Sequence, residues 1–292
     1  EMGCLLHYDA DAYFYGSLAE PMSCIVGAFH AQYHTRPGIY RHDMGIREGG
    51  NLAILAGAGP MGLGAVDYAL NADRRPSLLV VTDIDAARLS RAASIFSVKD
   101  AEAKGIRLVY LNTTALKDPV RELRALTGDD GYDDVFVFAP VAPLISSASA
   151  ILGRDGCLNF FAGPTDPAFS APINFYDVHY NAAHLVGTSG GNTADMIESL
   201  EMTAAGRLNP ACMVTHIGGL NAAIDTTLNL PKIPGGKKLI YPHIDMPLTA
   251  IEDFRKLGER DARFAALFEI LSRHGGLWNA EAEKYLLGGE RA

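Results

Sequence analysis

The segment LAILAGAGPMGLGAVDYAL (52–70) restricts the fold more than any other stretch of the chain. A short apolar run leads straight into Gly57, Gly59 and Gly62, spaced G-x-G-x-x-G, and a helical pattern begins at once. Each glycine has its own mechanical task. Gly57 permits a tight turn, Gly59 lets backbone approach a pyrophosphate, and Gly62 lets the following helix pack close on the strand. The helix start presents unbonded N–H groups and the positive end of its dipole to phosphates. Pro60 fits the first helical turn, where a missing N–H costs nothing, and Met61 completes the turn beside it. A glycine fingerprint alone is weak; the context gives it meaning.

That context is an alternation of strand and helix. LAILA (52–56), SLLVVT (77–82), RLVYLN (107–112), DVFVFA (134–139), CLNFFA (157–162) and HLVGT (184–188) read as six buried strands. Their near-continuous apolar character is that of parallel strands covered on both faces. The stretches between them carry helical spacing, so the expected fold class is α/β, a Rossmann doubly wound six-stranded parallel sheet. The second strand ends in VVTDID, and Asp83 lies 21 residues beyond Gly62, the spacing of the acid that binds an adenosine ribose. A carboxylate there accepts from the ribose hydroxyls of NAD and repels the extra phosphate of NADP, so NAD is the expected cofactor. Arg88 stands against that preference, since it would serve a ribose hydroxyl, a phosphate or a solvated helix surface. Dinucleotides lie across the carboxyl ends of such strands, which adds Ala139, Pro140 and Gly163, with the 187–191 loop behind them.

Other function classes lose their anchors. A net charge of −9 argues against tracking nucleic acid or an anionic membrane. No apolar run reaches the ~18 residues of a membrane span. Four scattered cysteines (Cys4, Cys24, Cys157, Cys212) lack metal-lobe spacing and point to a reducing, cytoplasmic setting. Neither a nucleophile elbow nor a Walker lysine is present. His30 and His34, at i and i+4, share a face if their helix is continuous, which is a zinc pair or a packing role. Asp129, Asp130, Asp133 and Asp134 read as a solvated acidic turn. His216 reads as a junction residue or an acid–base group, and Lys237 and Lys238 as a strand end or a phosphate attractor.

The chain resembles the medium-chain dehydrogenase/reductase superfamily, the zinc-type alcohol and sorbitol dehydrogenases. The likeness rests on SLAEPMSCIVGAFHA, joined by a linker to GGNLAILAGAGPMGLGAVDYAL, and on VVTDIDAARLSRA, DDVFVFAP, GCLNFFAG and MVTHIGGLNAAIDTTLNL…GKKLIYP. Within it, the wording is similar to L-sorbose 1-phosphate reductases. The resemblance implies hydride transfer between nicotinamide and a polyol or sugar-phosphate alcohol or ketone, with a catalytic zinc. Glu20 matches a group that ligates that zinc or holds its water. The cysteine and His-Glu pair that should accompany Glu20 do not precede it; Cys4 and His7 are the soft ligands there. The division expected is a remnant of a GroES-like catalytic domain (1–21), the nucleotide domain with its entry helix (22–209), and a returning segment with a helical C-terminal extension (210–292). On this reading the chain is a truncated, proteolysed or degenerate form that binds NAD and turns over poorly or not at all. Its alternatives are a non-catalytic NAD-binding or assembly module and a zinc-independent reductase. The expected partners are a small-molecule substrate and a second copy, as a homodimer or homotetramer paired through a strand edge near 211–217 or 237–241.

Overall fold

The computed structural model describes residues 5–36 and 38–288. Two helices, α1 (Tyr13–Ser17) and α2 (Ala19–Ala31), enter a hairpin of β1 (Tyr33–Arg36) and β2 (Ile39–Met44). The alternating region follows as β3 (Asn51–Leu55), α3 (Pro60–Asn71), β4 (Leu78–Asp83), α4 (Ala86–Ile95), α5 (Val98–Ala103) and β5 (Arg107–Asn112). It continues through α6 (Pro119–Ala125), β6 (Tyr132–Val137), α7 (Ala142–Ile151), β7 (Leu152–Phe160), α8 (Phe175–Tyr180), β8 (His184–Gly187) and α9 (Thr193–Ala204). The remainder holds β9 (Val214–Gly219), α10 (Ala223–Asn229), β10 (Lys237–Tyr241), β11 (Thr249–Ala250), α11 (Phe254–Leu257), α12 (Ala262–Arg273) and α13 (Ala280–Leu286).

The six expected strands form one parallel sheet in the order β5-β4-β3-β6-β7-β8. Strand order reverses between β3 and β6, which opens a crevice at their carboxyl ends. Ala53, Ile54, Leu79, Val80, Val135 and Val137 are fully buried, because helices cover both faces of the sheet. The capping signal before α9 also holds: the Asn192 side chain accepts from Ala194 N at 2.7 Å and Asp195 N at 3.0 Å, while Asp195 Oδ2 accepts from Asn192 N at 2.9 Å.

The linker expected after α2 is instead an antiparallel hairpin, tied to the amino-terminal end of the sheet. Helix α2 stops at Gln32, whose side chain donates to Asp134 Oδ1 (2.9 Å) and Cys157 O (3.1 Å). Asp134 is 1% exposed and also accepts from Arg47 N (2.8 Å), with His34 Nε2 at 3.2 Å. Asp133 accepts from Asn51 N at 2.8 Å and faces Arg47 Nε at 2.8 Å. Half of the supposed solvated acidic turn is therefore a buried anchor for the hairpin. A sheet-side partner brought from a hundred residues away reverses the surface reading.

A smaller sheet of order β10-β9-β11 carries the returning segment. β9 lies between two neighbours, so the edge expected near 211–217 is covered, while β10 (237–241) and the two-residue β11 border that sheet. Glu283 of α13 closes the chain on itself. Its Oε1 accepts from Tyr13 N (2.6 Å), and its Oε2 accepts from Phe14 N (3.0 Å) and Tyr241 OH (2.6 Å). Trp278 Nε1 completes the group by donating to Tyr241 OH at 2.8 Å. Among the described residues, no helix is long and apolar enough to cross a membrane.

Candidate functional site

Ladder bonds place the exits of four strands side by side. Gly57 N–H donates to Thr82 O (2.8 Å), Phe138 N–H to Leu55 O (3.0 Å) and Ala162 N–H to Val137 O (3.1 Å). Gly57, Asp83, Ala139 with Pro140, and Gly163 thus leave adjacent strands at one rim of the sheet. The three fingerprint glycines differ in what surrounds them. A Cβ on Gly57 would lie 2.6 Å from Ile54 Cγ2 and 2.9 Å from Ile54 O. One on Gly62 would lie 2.2 Å from Gly57 O, so the helix touches the turn backbone directly. Gly59 meets nothing within 4 Å and is the N-cap of α3, with Pro60 in the first turn. Its surroundings are open where a phosphate would approach.

The tight turn itself is made by another residue. Ala56 takes the left-handed conformation at φ 55°, so Gly57 is required for space rather than for its dihedral freedom. An alanine in that region stores strain of about 1 kcal/mol at the glycine turn. The glycine pattern hid Ala56, because nothing in the spacing distinguishes the residue that bends.

Asp83 is 6% exposed at the end of β4. Its Oδ2 accepts from Ala58 N at 3.2 Å, and its Oδ1 accepts from Ile84 N (2.8 Å) and Asp85 N (3.1 Å). The carboxylate therefore holds the glycine turn against β4, a structural duty beyond the ribose reading, and each oxygen keeps further acceptor capacity. Asp85 caps α4 by accepting from Ala87 N (2.9 Å) and Arg88 N (3.1 Å). An Asp directly before a helical run was the signal for it. Arg88 is exposed on the first turn of α4, 3.6 Å from Asp85 Oδ2, with its guanidinium available at the rim. Met61 is half-buried behind Gly59, while Pro140 and Gly163 are exposed.

Glu20 is exposed in the first turn of α2, where Cys24 Sγ donates to its Oε1 at 3.4 Å. Burial first, then the bond to Glu20, raises the Cys24 thiol above its ordinary value. The loop after β8 passes against this turn: a Cβ on Gly191 would lie 2.4 Å from Ser23 O. Glu20 consequently sits on the rim side of the sheet. Cys4 lies outside the described residues, and among those described no three His, Cys, Asp or Glu side chains converge as metal ligands.

His30 and His34 do not share a face, because α2 ends between them. His30 Nδ1 lies 2.8 Å from Asp195 Oδ1. His34, on β1, has Nδ1 2.9 Å from Asp155 O and Nε2 beside Asp134. Burial lowers the affinity of His34 for a proton, but Asp134 and the Asp155 carbonyl outweigh it and hold the imidazole above its ordinary pKa. His216 lies on β9 with Nδ1 2.8 Å from Thr215 Oγ1; burial and Lys238 lower its pKa. Lys238 donates to the carbonyls of Ile233, Pro234 and Gly236 and serves the loop rather than a phosphate.

Residues 60–205 match the zinc-binding dehydrogenase family. The chain is 59% identical over 287 residues to mannitol-1-phosphate 5-dehydrogenase of Aliivibrio fischeri, covering 98% of this chain and 68% of that protein. It is 50% identical over 284 residues to L-sorbose 1-phosphate reductase of Klebsiella pneumoniae, covering 97% and 66%. Among solved structures it is similar to 2R,3R-butanediol dehydrogenase from Bacillus subtilis, with a TM-score of 0.63, 19% identity, and 82% and 60% of the two chains covered. The chain thus spans about two thirds of the curated relatives and three fifths of that structure. The six-stranded sheet, its glycine turn and the identity along nearly all of its length agree: the chain belongs to the zinc-binding dehydrogenase family.

Proposed function

We propose that this chain is the dinucleotide-binding part of an oxidoreductase acting on a polyol phosphate or the matching sugar-phosphate ketone. The observation that carries the reading is the identity along nearly the whole chain to a mannitol-1-phosphate dehydrogenase and an L-sorbose 1-phosphate reductase. The rim geometry supports it, since Gly59 leaves open space at a helix N-terminus. In this reading Gly57, Gly59 and Gly62 shape the turn and the α3 N-terminus holds the pyrophosphate. Asp83 accepts from the ribose, Arg88 flanks it, and Ala139, Pro140 and Gly163 border the crevice. The bound nicotinamide supplies the hydride transfer. NAD is favoured over NADP, because a buried carboxylate at the ribose repels an added phosphate.

Zinc belongs to the family, but Glu20 has only Cys24 within bonding reach among the described residues, so no step is derived through a metal. A second reading is a dinucleotide-binding module without turnover of its own. The two proposals separate in one assay. Reduction of NAD by this chain with mannitol 1-phosphate supports the enzyme, and tight NAD binding without turnover supports the module. Calorimetry with NAD and NADP tests the cofactor; equal or tighter NADP binding removes the ribose reading of Asp83. The domain division at 21/22 and 209/210 belongs to this proposal, as does self-association into a homodimer or homotetramer.

A further inference from the structure

A cleft of about 790 Å³ opens between the ends of α2 and α3, one face of α9 and the segment that follows β2. Its volume falls within the ~300–1,000 Å³ of small-molecule sites. It is not the crevice at the rim. Helix α3, Pro60–Asn71, begins at the glycine turn and reaches the cleft only at its far end, about 18 Å away.

The floor of the cleft is apolar. Phe29 and Tyr68 are 3% and 4% exposed, with their rings edge to face at 4.9 Å, and Ile46 and Met202 complete it. Met44 and Ile197 also line the cleft and stay 52% and 41% exposed, large apolar side chains left in water.

The charges around this floor do not cancel. Arg74 is matched by Asp43 at 3.1 Å and donates to Met44 O at 2.7 Å. Arg207 is matched by Asp73 at 2.6 Å and donates to Asn71 O at 2.7 Å. His30 has Asp195 Oδ1 2.8 Å from its Nδ1. Two carboxylates are left over, Glu198 and Glu201, which stand at i and i+3 on α9 and so are neighbours on one face. Glu198 Oε1 accepts from Tyr68 OH, a neutral donor, at 2.7 Å, and its Oε2 lies 3.3 Å from His30 Nε2. The Glu201 side chain is exposed and makes no hydrogen bond or ion pair among the described residues. The last turns of α2 and α3 add the negative ends of two helix dipoles.

A molecule suited to this surface carries a positive charge on an apolar body. An anion would meet the two surplus carboxylates, and a neutral molecule would leave them unused. Aromatic rings in the floor favour a cation further. We propose that the cleft is a second ligand site, which binds an organic ammonium with its apolar body on Phe29, Tyr68, Ile46 and Met202 and its charge at Glu198 and Glu201. The site stands independently of what the rim binds.

Amide NMR of the whole chain, titrated with phenethylammonium, tests this site. Signals of α9 and of Ala72–Arg74 should move with a dissociation constant of about 1 mM, the range for so small a molecule, while those of Gly57–Gly62 stay still. Phenylacetate, a similar body with the opposite charge, should not bind, and phenethyl alcohol should bind about tenfold more weakly. Glu201→Gln should weaken the ammonium about fivefold, and E198Q/E201Q should bring it level with the alcohol. Both changes keep the side-chain shape, and an amide oxygen at 198 still accepts from Tyr68. Phenylacetate binding as tightly as the ammonium overturns the proposal, as does a double variant that holds the ammonium as tightly as the wild type. So does a cleft whose signals stay still at about 10 mM phenethylammonium, tenfold above the expected constant.

Discussion

The two ends of the main sheet are built on opposite plans. At the carboxyl rim, the α3 N-terminus opens at Gly59 with nothing within 4 Å of its missing side chain, and Arg88 lies exposed nearby. At the amino end, Asp134 and Asp155 are engaged by Gln32, His34, Thr35, Arg47 and His184. Both ends carry acidic side chains close to strand ends. The difference teaches that polar content does not mark a site; unspent bonding capacity does. The amino end has used its acceptors to fasten a hairpin, whereas the rim keeps donors free for a ligand.

The largest effect should come from breaking the spent end. Asp134→Ala strands Gln32, His34 and the Arg47 amide in a dry interior, and should cost about 3–5 kcal/mol in urea unfolding. Dinucleotide affinity of the folded fraction should be unchanged; a large loss of affinity would mean that the two ends are not separable. The converse variant is Gly59→Val. A Cβ there meets no protein atom within 4 Å, and the branched side chain would occupy the proposed phosphate approach, so NAD affinity should fall about 100-fold, or ~3 kcal/mol, with the unfolding midpoint little moved. Unaltered affinity by calorimetry would remove the phosphate-turn assignment.

Two smaller changes sharpen the contrast. Ala56→Gly releases the left-handed alanine and should stabilise the chain by about 0.5–1 kcal/mol in the same unfolding assay. The gain would show that strain at the rim is carried by the fold and not imposed by a ligand. At the other end, His34 holds its proton more tightly folded than unfolded. Its contribution is complete below the ordinary histidine range, near pH 6.5, and is lost as pH rises through the higher folded value. Unfolding free energy measured against pH should show this decline, and His34→Gln should flatten it.

Much of this was readable along the chain. The six strands matched their apolar runs because both faces of a parallel sheet are buried, which leaves an unbroken local signal. Gly62 packs close on the turn as its spacing implied, since that role depends on neighbours only a few residues away. The spacing singled out Asp83 at the end of β4, but not the three backbone donors that it binds there. The misreadings share one cause. Asp134 looked solvated, and His30 and His34 looked adjacent, because the sequence does not show that Gln32 leaves the helix to reach Asp134 and Cys157 more than a hundred positions away. That Glu20 has only Cys24 within bonding reach among the described residues is visible only in three dimensions.

The sequence by itself determined the local parts: the strand–turn–helix unit, the order of strands and helices, the caps, and the residue types at the rim. Period, spacing and glycine sterics act over a few residues and are written into the chain. Tertiary structure alone decided which acids were consumed and which ends met. Glu283 binds the amides of Tyr13 and Phe14 across some 270 positions, and Asp134 binds Gln32 across 102. Such bonds form because a buried carboxylate must find donors wherever the packed chain brings them.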